Sequence, residues 1–174
     1  MNELIIRQAA EKDVAAIAEL EKQCFADPWS YESVHYDVVD NKLALYIVAE
    51  LICDEASQDI DLAVGPAAGT EIVGYAGIWN IAGEGHITNV AVSPAHRRKH
   101  IGRAMMDVML SVTEENGITS HTLEVRKSNQ AAINLYREMG FEIAGERKGY
   151  YQDNGEDAFI MWRKATESVP EETR

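Results

Sequence analysis

The sequence has few cysteines and no long apolar run. Cys24 and Cys53 are the two cysteines among 174 residues, and they stand far apart without Cys-x-x-Cys or His/Cys spacing. This pattern indicates neither a disulfide framework nor a zinc site, and we expect no bound metal. No stretch approaches the roughly 18 apolar residues that cross a bilayer, and residues 1–7 lack the pattern of a signal peptide. We therefore expect a cytoplasmic protein that does not enter a membrane.

Positive charge is also scarce. The chain has 16 Lys and Arg residues against 29 Asp and Glu residues, which gives a formal net charge of -13. Sequence-independent binding of nucleic acid needs a broad basic surface, so this composition argues against it. The acidity suits a cationic partner, although the solubility that such charge confers explains it equally well.

The length and composition predict one globular domain. A chain of 174 residues, 46% hydrophobic and 26% charged, can bury a sizeable core without a disulfide or a metal. We predict that residues 1–164 form this domain and that residues 165–174, which are polar and acidic, form a frayed tail. Residues 54–70 are acidic at first and then rich in Gly, Pro and Ala, which predicts a loop insertion and not a domain boundary.

One loop is an exception to the shortage of cations. The β-branched run Ile87–Val92 predicts a buried strand that ends by Pro94, and a helical apolar stripe begins at Ile101. Between them lie the basic residues His96, Arg97, Arg98, Lys99 and His100, with Arg103 directly behind. Unpaired N–H groups of a first helical turn, the helix dipole and fixed cations together form a site for an anion such as a pyrophosphate. Gly102 lets a phosphate approach the backbone closely.

The alternative interpretation of this loop is a solvated basic surface, which is what most charge clusters are. Its position directly behind a buried strand favours the anion site. The sequence contains no Gly-x-x-x-x-Gly-Lys-Ser/Thr, and no Gly-x-Gly-x-x-Gly follows a strand. It therefore does not predict a nucleoside triphosphate or dinucleotide fold.

The remaining patterns alternate between strand and helix. They predict strands at 4–8, 42–53, 71–80, 87–92, 119–125, 141–151 and 156–163, and helices at 11–24, from Ser30, at 101–115 and at 129–139. Gly83 and Gly85 predict a turn before the central strand, and Asp153-Asn154-Gly155 predicts a hairpin between the last two strands. The order β-α-α-β-β-β-α-β-α-β-β predicts an α/β domain with a mixed sheet and helices on both faces.

Three longer stretches carry a resemblance. They are Asn89 to Ala104; Leu123-Glu-Val-Arg-Lys-Ser-Asn129 followed by Ala132, Leu135-Tyr136 and Gly140-Phe141; and Arg147-Lys-Gly-Tyr-Tyr151 followed by Glu156-Asp-Ala158. With Phe25-x-x-Pro-Trp-Ser30, they resemble the GCN5-related N-acetyltransferase (GNAT) superfamily, and in particular its ribosomal-protein-alanine N-acetyltransferase (RimI) branch. The resemblance covers nearly the whole chain, from about residue 4 to residue 162.

The resemblance implies a single-domain α/β fold with a mixed, mostly antiparallel central sheet, and acetyl transfer from acetyl-CoA to a primary amine. It implies Glu124 as the general base and Tyr136 as the general acid that protonates the departing thiolate. The implied cofactor-binding residues are Val90, Ala91 and Val92 along the pantetheine arm, Arg98, Lys99, His100, Ile101, Gly102 and Arg103 around the pyrophosphate, and Asn129 near the reactive end. His100 stands where the family usually has a glycine, which we expect to weaken cofactor binding.

The chemistry favours an N-terminal substrate. An attacking amine must be neutral, and an α-amine has a pKa near 8 against about 10.4 for lysine, so a weak base such as Glu124 suffices for it. A backbone N–H at Val90 or Ala91 can stabilise the oxyanion. The branch suggests the N-terminal alanine of small-subunit ribosomal protein eighteen as the substrate.

Two other functions remain open at this point. The first is acetylation of lysine side chains or small amines, and the second is a non-catalytic, CoA-binding regulatory module. Four residues of the last stretch either form the rim of a peptide-binding site or only pack against their neighbours: Tyr150, Tyr151, Glu156 and Asp157. Their role depends on where the fold places them relative to Glu124.

Overall fold

The computed structural model describes residues 3–52 and 69–165, and these residues follow the predicted order of elements. The strands are β1 Glu3–Gln8, β2 Ala44–Ile52, β3 Thr70–Ile81, β4 Glu84–Val92, β5 Ser120–Arg126, β6 Glu142–Arg147 and β7 Ala158–Lys164. The helices are α1 Val14–Cys24, α2 Tyr31–His35, α3 Ile101–Glu115 and α4 Gln130–Glu138, with a π-helical turn at Tyr36–Asp40. Apart from Gly69, Thr70 and Ala165, the predicted insertion at 54–70 and the predicted tail at 165–174 lie outside the described residues.

The seven strands form one sheet in the order β1-β2-β3-β4-β5-β7-β6. Neighbouring strands are antiparallel except for β4 and β5, which run parallel and are joined through α3. The prediction of a mixed, mostly antiparallel sheet is confirmed. Across the part of the chain that the structure describes, no helix is long and apolar enough to cross a membrane, and no three His, Cys, Asp or Glu side chains are grouped as metal ligands.

Helices cover both faces of the sheet because its central strands alternate apolar side chains between the faces. On β2, Ile47 and Ala49 join the cluster that packs under α3, whereas Tyr46 and Val48 join the cluster that packs under α1. The buried face of α3 consists of Ile101, Met105, Met106, Met109 and Leu110. The buried residues of α1 that join the other apolar cluster are Val14, Ile17 and Leu20. Burial of each large apolar side chain stabilises the fold by about 1.5–3 kcal/mol, so these two clusters hold the three layers together.

Gly85 differs from its prediction as a turn residue. It lies inside β4, and the preceding Gly83, with a φ of 85°, makes the turn. A Cβ on Gly85 would approach Ile78 Cδ1 to 2.7 Å and His121 Cδ2 to 2.9 Å. Glycine is therefore required at this position by close packing between strands.

The hairpin predicted around Asp153-Asn154-Gly155 is present, but its strands are shorter than predicted: Gly155 N donates to Tyr151 O at 2.8 Å and Tyr151 N donates to Glu156 O at 3.1 Å. Strands β6 and β7 do pair, but residues 148–157 form a longer loop between them. Two carboxylates hold this loop by accepting backbone hydrogen bonds: Glu156 Oε1 from Ser128 N at 2.8 Å and Asp157 Oδ1 from Gly149 N at 2.9 Å. These bonds, together with nearby cations, lower the pKa of both carboxyl groups to about 2. These side-chain hydrogen bonds hold the loop where longer strands would have formed backbone pairs.

His121 predicts an acid-dependent loss of stability. Its side chain is fully buried beside Thr113 Oγ1 at 2.8 Å, and burial lowers its pKa to about 4, with Glu114 opposing the shift and Arg163 adding to it. In the unfolded chain His121 takes up a proton near pH 6.5, whereas in the folded protein it does so only near pH 4. Between these two pH values the proton binds the unfolded state alone, so acidification favours unfolding. We expect this residue alone to lower the free energy of unfolding by about 3 kcal/mol as the pH falls from about 6.5 to about 4.

Denaturant unfolding of the wild type and of His121→Gln across this pH range measures the effect. Glutamine can keep a hydrogen bond with Thr113 but does not titrate. The variant should lose less stability on acidification than the wild type. Equal losses in the two proteins would show that His121 does not titrate in this way.

Candidate active site

The sheet opens between β4 and β5. The two strands pair only along residues 84–87 of β4 and 120–123 of β5. Beyond these pairs, residues 89–92 of β4 pair with β3 alone, and residues 124–126 of β5 pair with β7 alone. On the side away from β3, the backbone of Val90–Val92 therefore borders a gap. A ligand with amide groups can bind such an edge in the manner of an added strand.

A bulge in β4 is the local cause of this opening. The pairing with β3 shifts so that Thr88 is an extra residue between Ile87 and Asn89. An extra residue bends its strand and increases the local twist, and here it lies where β4 parts from β5. Beyond the bulge, Val90 packs with the cluster under α3, and Ala91 packs with the cluster under α1. The two faces of the opened strand thus meet different layers of the fold.

The predicted basic loop lies at the end of β4, beside the gap. Arg97 Nε donates a hydrogen bond to Val92 O over 3.2 Å, which holds the loop against the strand. Arg98 and His100 adopt left-handed backbone conformations, with φ of 61° and 60°, and α3 begins at Ile101. The first N–H groups of a helix have no partner within the helix, and left-handed residues ahead of it form a concave surface that binds anions. The loop therefore has the backbone geometry of an anion site.

The cations of this loop differ in their partners. Arg98 and Lys99 are exposed, and neither forms an ion pair with a carboxylate of residues 3–52 or 69–165. Arg103 instead donates from Nη1 to Glu138 Oε2 of α4 at 2.8 Å and lies 3.9 Å from Asp107. Its guanidinium group ties α3 to α4, whereas Arg98 and Lys99 are available to an anion.

Gly102 lies in the first turn of α3. A Cβ at this position would come 3.7 Å from Val92 Cγ2 and 3.9 Å from Leu135 Cδ2, which are ordinary contact distances. Packing within the protein therefore does not require a glycine here. That Gly102 admits a phosphate to the backbone stays a prediction.

The left-handed conformation of His100 predicts a stabilising substitution. A residue with a Cβ adopts this conformation at a cost of about 1–2 kcal/mol relative to glycine. We expect His100→Gly to raise the free energy of unfolding by about 1 kcal/mol, because the relief exceeds the extra chain entropy of glycine in the unfolded state. Urea unfolding of the wild type and the variant measures this difference in the free energy of unfolding. Lys99→Gly is the matched control, since Lys99 is not among the residues with positive φ, and it should be destabilising. A destabilised His100→Gly would contradict the argument.

Glu124 lies on the opposite wall of the gap, just beyond the last pair between β5 and β4. Its Oε1 accepts a hydrogen bond from Arg147 Nε at 3.0 Å, and its side chain is 21% exposed. This contact fixes one carboxylate oxygen and leaves Oε2 for another partner.

Tyr151 lies close enough to Glu124 to be affected by its charge. Burial raises the pKa of Tyr151 to about 12, and the nearby charge of Glu124 adds to the shift.

Helix α4 positions the other two predicted residues. Tyr136 is 8% exposed, and its ring packs against that of Phe141 with centroids 5.9 Å apart. Burial raises the pKa of Tyr136 to about 12, with a smaller contribution from Tyr151, so the phenol keeps its proton at neutral pH. Asn129 caps the helix, because its Oδ1 accepts a hydrogen bond from Ala132 N at 3.2 Å.

The loop of residues 148–157 lies beside Glu124. The guanidinium carbon of Arg126 lies 3.8 Å from the centre of the Tyr151 ring, and Nη2 of the same arginine is 2.8 Å from Asp153 Oδ1. The rings of Tyr150 and Tyr151 meet edge to face at 5.1 Å. These contacts order two aromatic side chains next to the carboxylate. Their role as a peptide-binding rim stays a prediction.

A buried polar cluster on the α1 side of β4 was not predicted from the sequence. Glu21 of α1 is 1% exposed and accepts hydrogen bonds from Trp29 N at 2.8 Å, from Asn89 Nδ2 at 2.9 Å and from the Tyr75 hydroxyl. One signal was present: Glu21 stands four residues after Ile17, so a carboxylate interrupts the apolar stripe of the helix. The fold brings this carboxylate next to the opened strand.

The gap and its surroundings match the parts of an acyl-CoA. An open strand edge suits an amide-containing arm, a helix N-terminus with two available cations suits a diphosphate, and a protonated phenol can protonate a thiolate. Glu124 adds a carboxylate on the facing wall. The fold and these groups together are those of an acyltransferase.

Comparison with known proteins identifies the family. Residues 14–141 match the Acetyltransferase (GNAT) family. A putative [ribosomal protein bS18]-alanine N-acetyltransferase from Bacillus subtilis (strain 168) is 34% identical over 157 residues, which cover 90% of this chain and 93% of that protein. The chain belongs to the GNAT family and is an N-acetyltransferase.

Solved structures agree with this fold. The ribosomal-protein-S18-alanine N-acetyltransferase from Escherichia coli is similar with a TM-score of 0.76 and 26% identity, and the match covers 100% of both chains. NAA60 from Arabidopsis thaliana, solved in complex with acetyl-CoA, is similar with a TM-score of 0.77 over 93% of this chain and 98% of that one. At 15% identity the second likeness shows the fold alone.

Proposed function

We propose that this chain transfers the acetyl group of acetyl-CoA to the α-amine of a protein N-terminus in the cytoplasm. The candidate substrate is the N-terminal alanine of ribosomal protein bS18, for which its relatives are named. The observation that carries the proposal is the opening between β4 and β5, with the cationic start of α3 beside it and Glu124 on its far wall. The buried phenol of Tyr136 completes the set of groups that acetyl transfer needs.

The cofactor occupies the opening in this proposal. The backbone of Val90, Ala91 and Val92 pairs with the pantetheine arm. The diphosphate binds the N–H groups at the start of α3, with Arg98 and Lys99 as counter-charges. For two of the predicted cofactor-binding residues, the contacts in the structure limit which atoms can reach the cofactor. Arg103 contributes through its backbone, because its side chain is paired with Glu138, and Asn129 contributes its Nδ2 group, because its Oδ1 caps α4.

The reaction is a direct attack of the amine on the thioester. The substrate ammonium gives a proton to Glu124, and the neutral nitrogen then forms a bond to the acetyl carbonyl carbon. A backbone N–H of Val90 or Ala91 stabilises the oxyanion. The nitrogen of the adduct releases its second proton to solvent. When the carbon–sulfur bond breaks, the thiolate takes the phenolic proton of Tyr136, and solvent then reprotonates Tyr136 and takes the proton from Glu124. The products are an acetylated N-terminus and CoA in its thiol form.

A peptide panel tests the substrate class. The panel contains an N-terminal bS18 peptide with a free α-amine, the same peptide with a blocked α-amine and free lysines, and a small primary amine. We expect mass spectrometry to find acetyl groups on the α-amine of the first peptide alone. Equal labelling of lysine in the blocked peptide would support the alternative of lysine or small-amine acetylation. Uptake of acetyl-CoA without any turnover would support a regulatory module instead.

A further inference from the structure

Two carboxylates on the α1 side of the sheet are buried without a counter-cation among the residues that the structure describes. Glu21 of α1 and Asp37 of the π-helical turn after α2 are 1% and 4% exposed. Neither forms an ion pair with a Lys, Arg or His side chain of residues 3–52 and 69–165. Burying a carboxylate without a cation is unfavourable, and a positively charged ligand group would relieve it.

The donors to Glu21 are all neutral groups. Its Oε2 accepts from Trp29 N at 2.8 Å, and its Oε1 accepts from Asn89 Nδ2 at 2.9 Å and from the Tyr75 hydroxyl. Burial raises the pKa of Glu21, although the hydrogen bonds from Trp29 and Asn89 act in the opposite direction. The negative charge at this place is therefore stabilised less well than it would be beside a cation.

Asp37 has the same kind of surroundings. It accepts hydrogen bonds from the Tyr46 hydroxyl at 2.9 Å, from Trp79 Nε1 at 2.8 Å and from Asn41 Nδ2 at 2.9 Å. The ring of Tyr46 stacks on that of Tyr75 at 6.2 Å, so the two carboxylates belong to one buried polar cluster. In an interior of low dielectric constant their negative potential extends to the neighbouring strand.

Asn89 connects this cluster with the opened part of β4. Because Nδ2 donates to Glu21, the amide is oriented with Oδ1 away from that carboxylate. This Oδ1 is buried and has no hydrogen-bond partner among the residues that the structure describes. Buried acceptors nearly always have a partner, so we expect a water molecule or a ligand group to donate to this atom. Asn89 directly precedes Val90, where the strand edge borders the gap.

We propose that Asn89 Oδ1 accepts a hydrogen bond from the α-ammonium group of the incoming peptide, and that Glu21 is a positioning residue that orients the Asn89 amide for this contact. Together with Asp37, Glu21 attracts the positive charge. The inference rests on the proposed function and adds to it the protonation state in which the substrate amine binds. The amine binds as a cation on the α1 side of β4, and Glu124 on the facing wall then removes the proton.

We infer that the peptide binds in a cleft on the same side, whose lining includes Asp37 and also Trp29, the residue whose N–H donates to Glu21. It has a volume of about 660 Å³ and is lined by Pro28, Trp29, Ser30, Glu32, Ser33, Tyr36, Asp37, Asn41 and Trp79. Its charged lining residues, Glu32 and Asp37, are both acidic, which favours a cationic segment. Trp29 and Trp79 face each other with ring centroids 6.3 Å apart. Trp79 stands two residues along β3 from Gly77, the partner of Asn89 in the sheet.

A binding experiment on the wild type tests the inference without any variant. The probes are a bS18 N-terminal peptide and its desamino analogue, in which hydrogen replaces the α-amine, each titrated into protein saturated with CoA at about pH 6.5. At this pH an α-amine with a pKa near 8 is mostly charged. We expect the ammonium peptide to bind about 10-fold more tightly or better. Equal affinities for the two peptides would overturn the inference.

Two variants test which residues cause the preference for the ammonium peptide over the desamino peptide. Asn89→Leu keeps the shape of the side chain without its acceptor, and Glu21→Gln removes the charge that orients the amide. Both should bring the affinities for the two peptides to within about 2-fold while leaving binding of the desamino peptide and of acetyl-CoA unchanged. Glu19→Gln, an exposed position on the same helix, is the matched control and should keep the wild-type ratio. A purely structural role would weaken both peptides equally, and that result would overturn the inference.

Failure of this inference can be told apart from failure of the proposed function. If the enzyme acetylates N-terminal peptides but the variants retain the full preference for the ammonium group, only the role of Asn89 and Glu21 is wrong. If no peptide is acetylated at its α-amine, the proposed function itself is wrong. The ratio of affinities is measured in the presence of CoA and needs no turnover, so the two results are independent.

Discussion

The Tyr136→Phe variant is expected to turn over at about one hundredth of the wild-type rate or less, while binding acetyl-CoA with unchanged affinity. The expectation follows from the burial of the phenol, which raises its pKa to about 12 and keeps it protonated across the working pH range. In the proposed reaction the phenol donates to the sulfur as negative charge develops there during departure from the tetrahedral intermediate. Phenylalanine keeps the ring that packs against Phe141, so the fold should not change.

Steady-state kinetics and a separate acetyl-CoA titration measure the two quantities for Tyr136→Phe. Tyr31→Phe, which removes the hydroxyl of an exposed tyrosine on α2, is the matched control. The control should retain wild-type turnover. Unchanged turnover in Tyr136→Phe would remove this residue from the mechanism, and a weakened acetyl-CoA affinity would assign it to binding.

The Glu124→Gln variant is expected to lose about two orders of magnitude in turnover at about pH 6.5, because glutamine cannot accept a proton. Its amide oxygen can still accept the hydrogen bond from Arg147, so the local geometry is kept. The deficit should narrow as the pH rises above about 8, since more of the substrate amine is then neutral without help. A base that acts on the ammonium group is needed most where that group is charged.

Rate profiles of wild type and Glu124→Gln between about pH 6 and about pH 9 measure this change. Glu142→Gln, an exposed carboxylate on β6, is the control and should follow the wild type. A deficit of the same size at every pH would indicate that Glu124 acts through charge or position and not as the base. Wild-type activity throughout would exclude it from the reaction.

The strand, the loop and the helix of the cofactor site could be predicted from sequence because each depends on local patterns. A β-branched run, a proline and an apolar stripe that starts at Ile101 together place the cations at a helix N-terminus. Position 100 drew attention through the resemblance and not through a local pattern, because the family usually has a glycine there, and His100 has a φ of 60°. Local sequence therefore predicts the loop in which we expect an anion to bind.

The opening of the sheet and the partners of the site residues could not be predicted, because they depend on contacts between distant positions. The bulge at Thr88 exists only relative to β3, and the pairs Arg103 with Glu138 and Glu124 with Arg147 join separate elements. Periodicity gives the face of an element on which a side chain lies, but not which distant side chain it meets. The buried Glu21 is the clearest case, since its role depends on a strand 68 residues away.

Amide hydrogen exchange with and without acetyl-CoA tests the central claim most directly, because the claim concerns which backbone the cofactor occupies. The account predicts that saturating acetyl-CoA slows exchange along Val90–Val92 and in the loop and first helical turn at 98–103, and leaves the cleft around Trp29 and Trp79 unchanged. Failure to take up acetyl-CoA at a concentration of about 1 mM, which corresponds to binding weaker than about 4 kcal/mol, would contradict it. So would protection confined to the cleft.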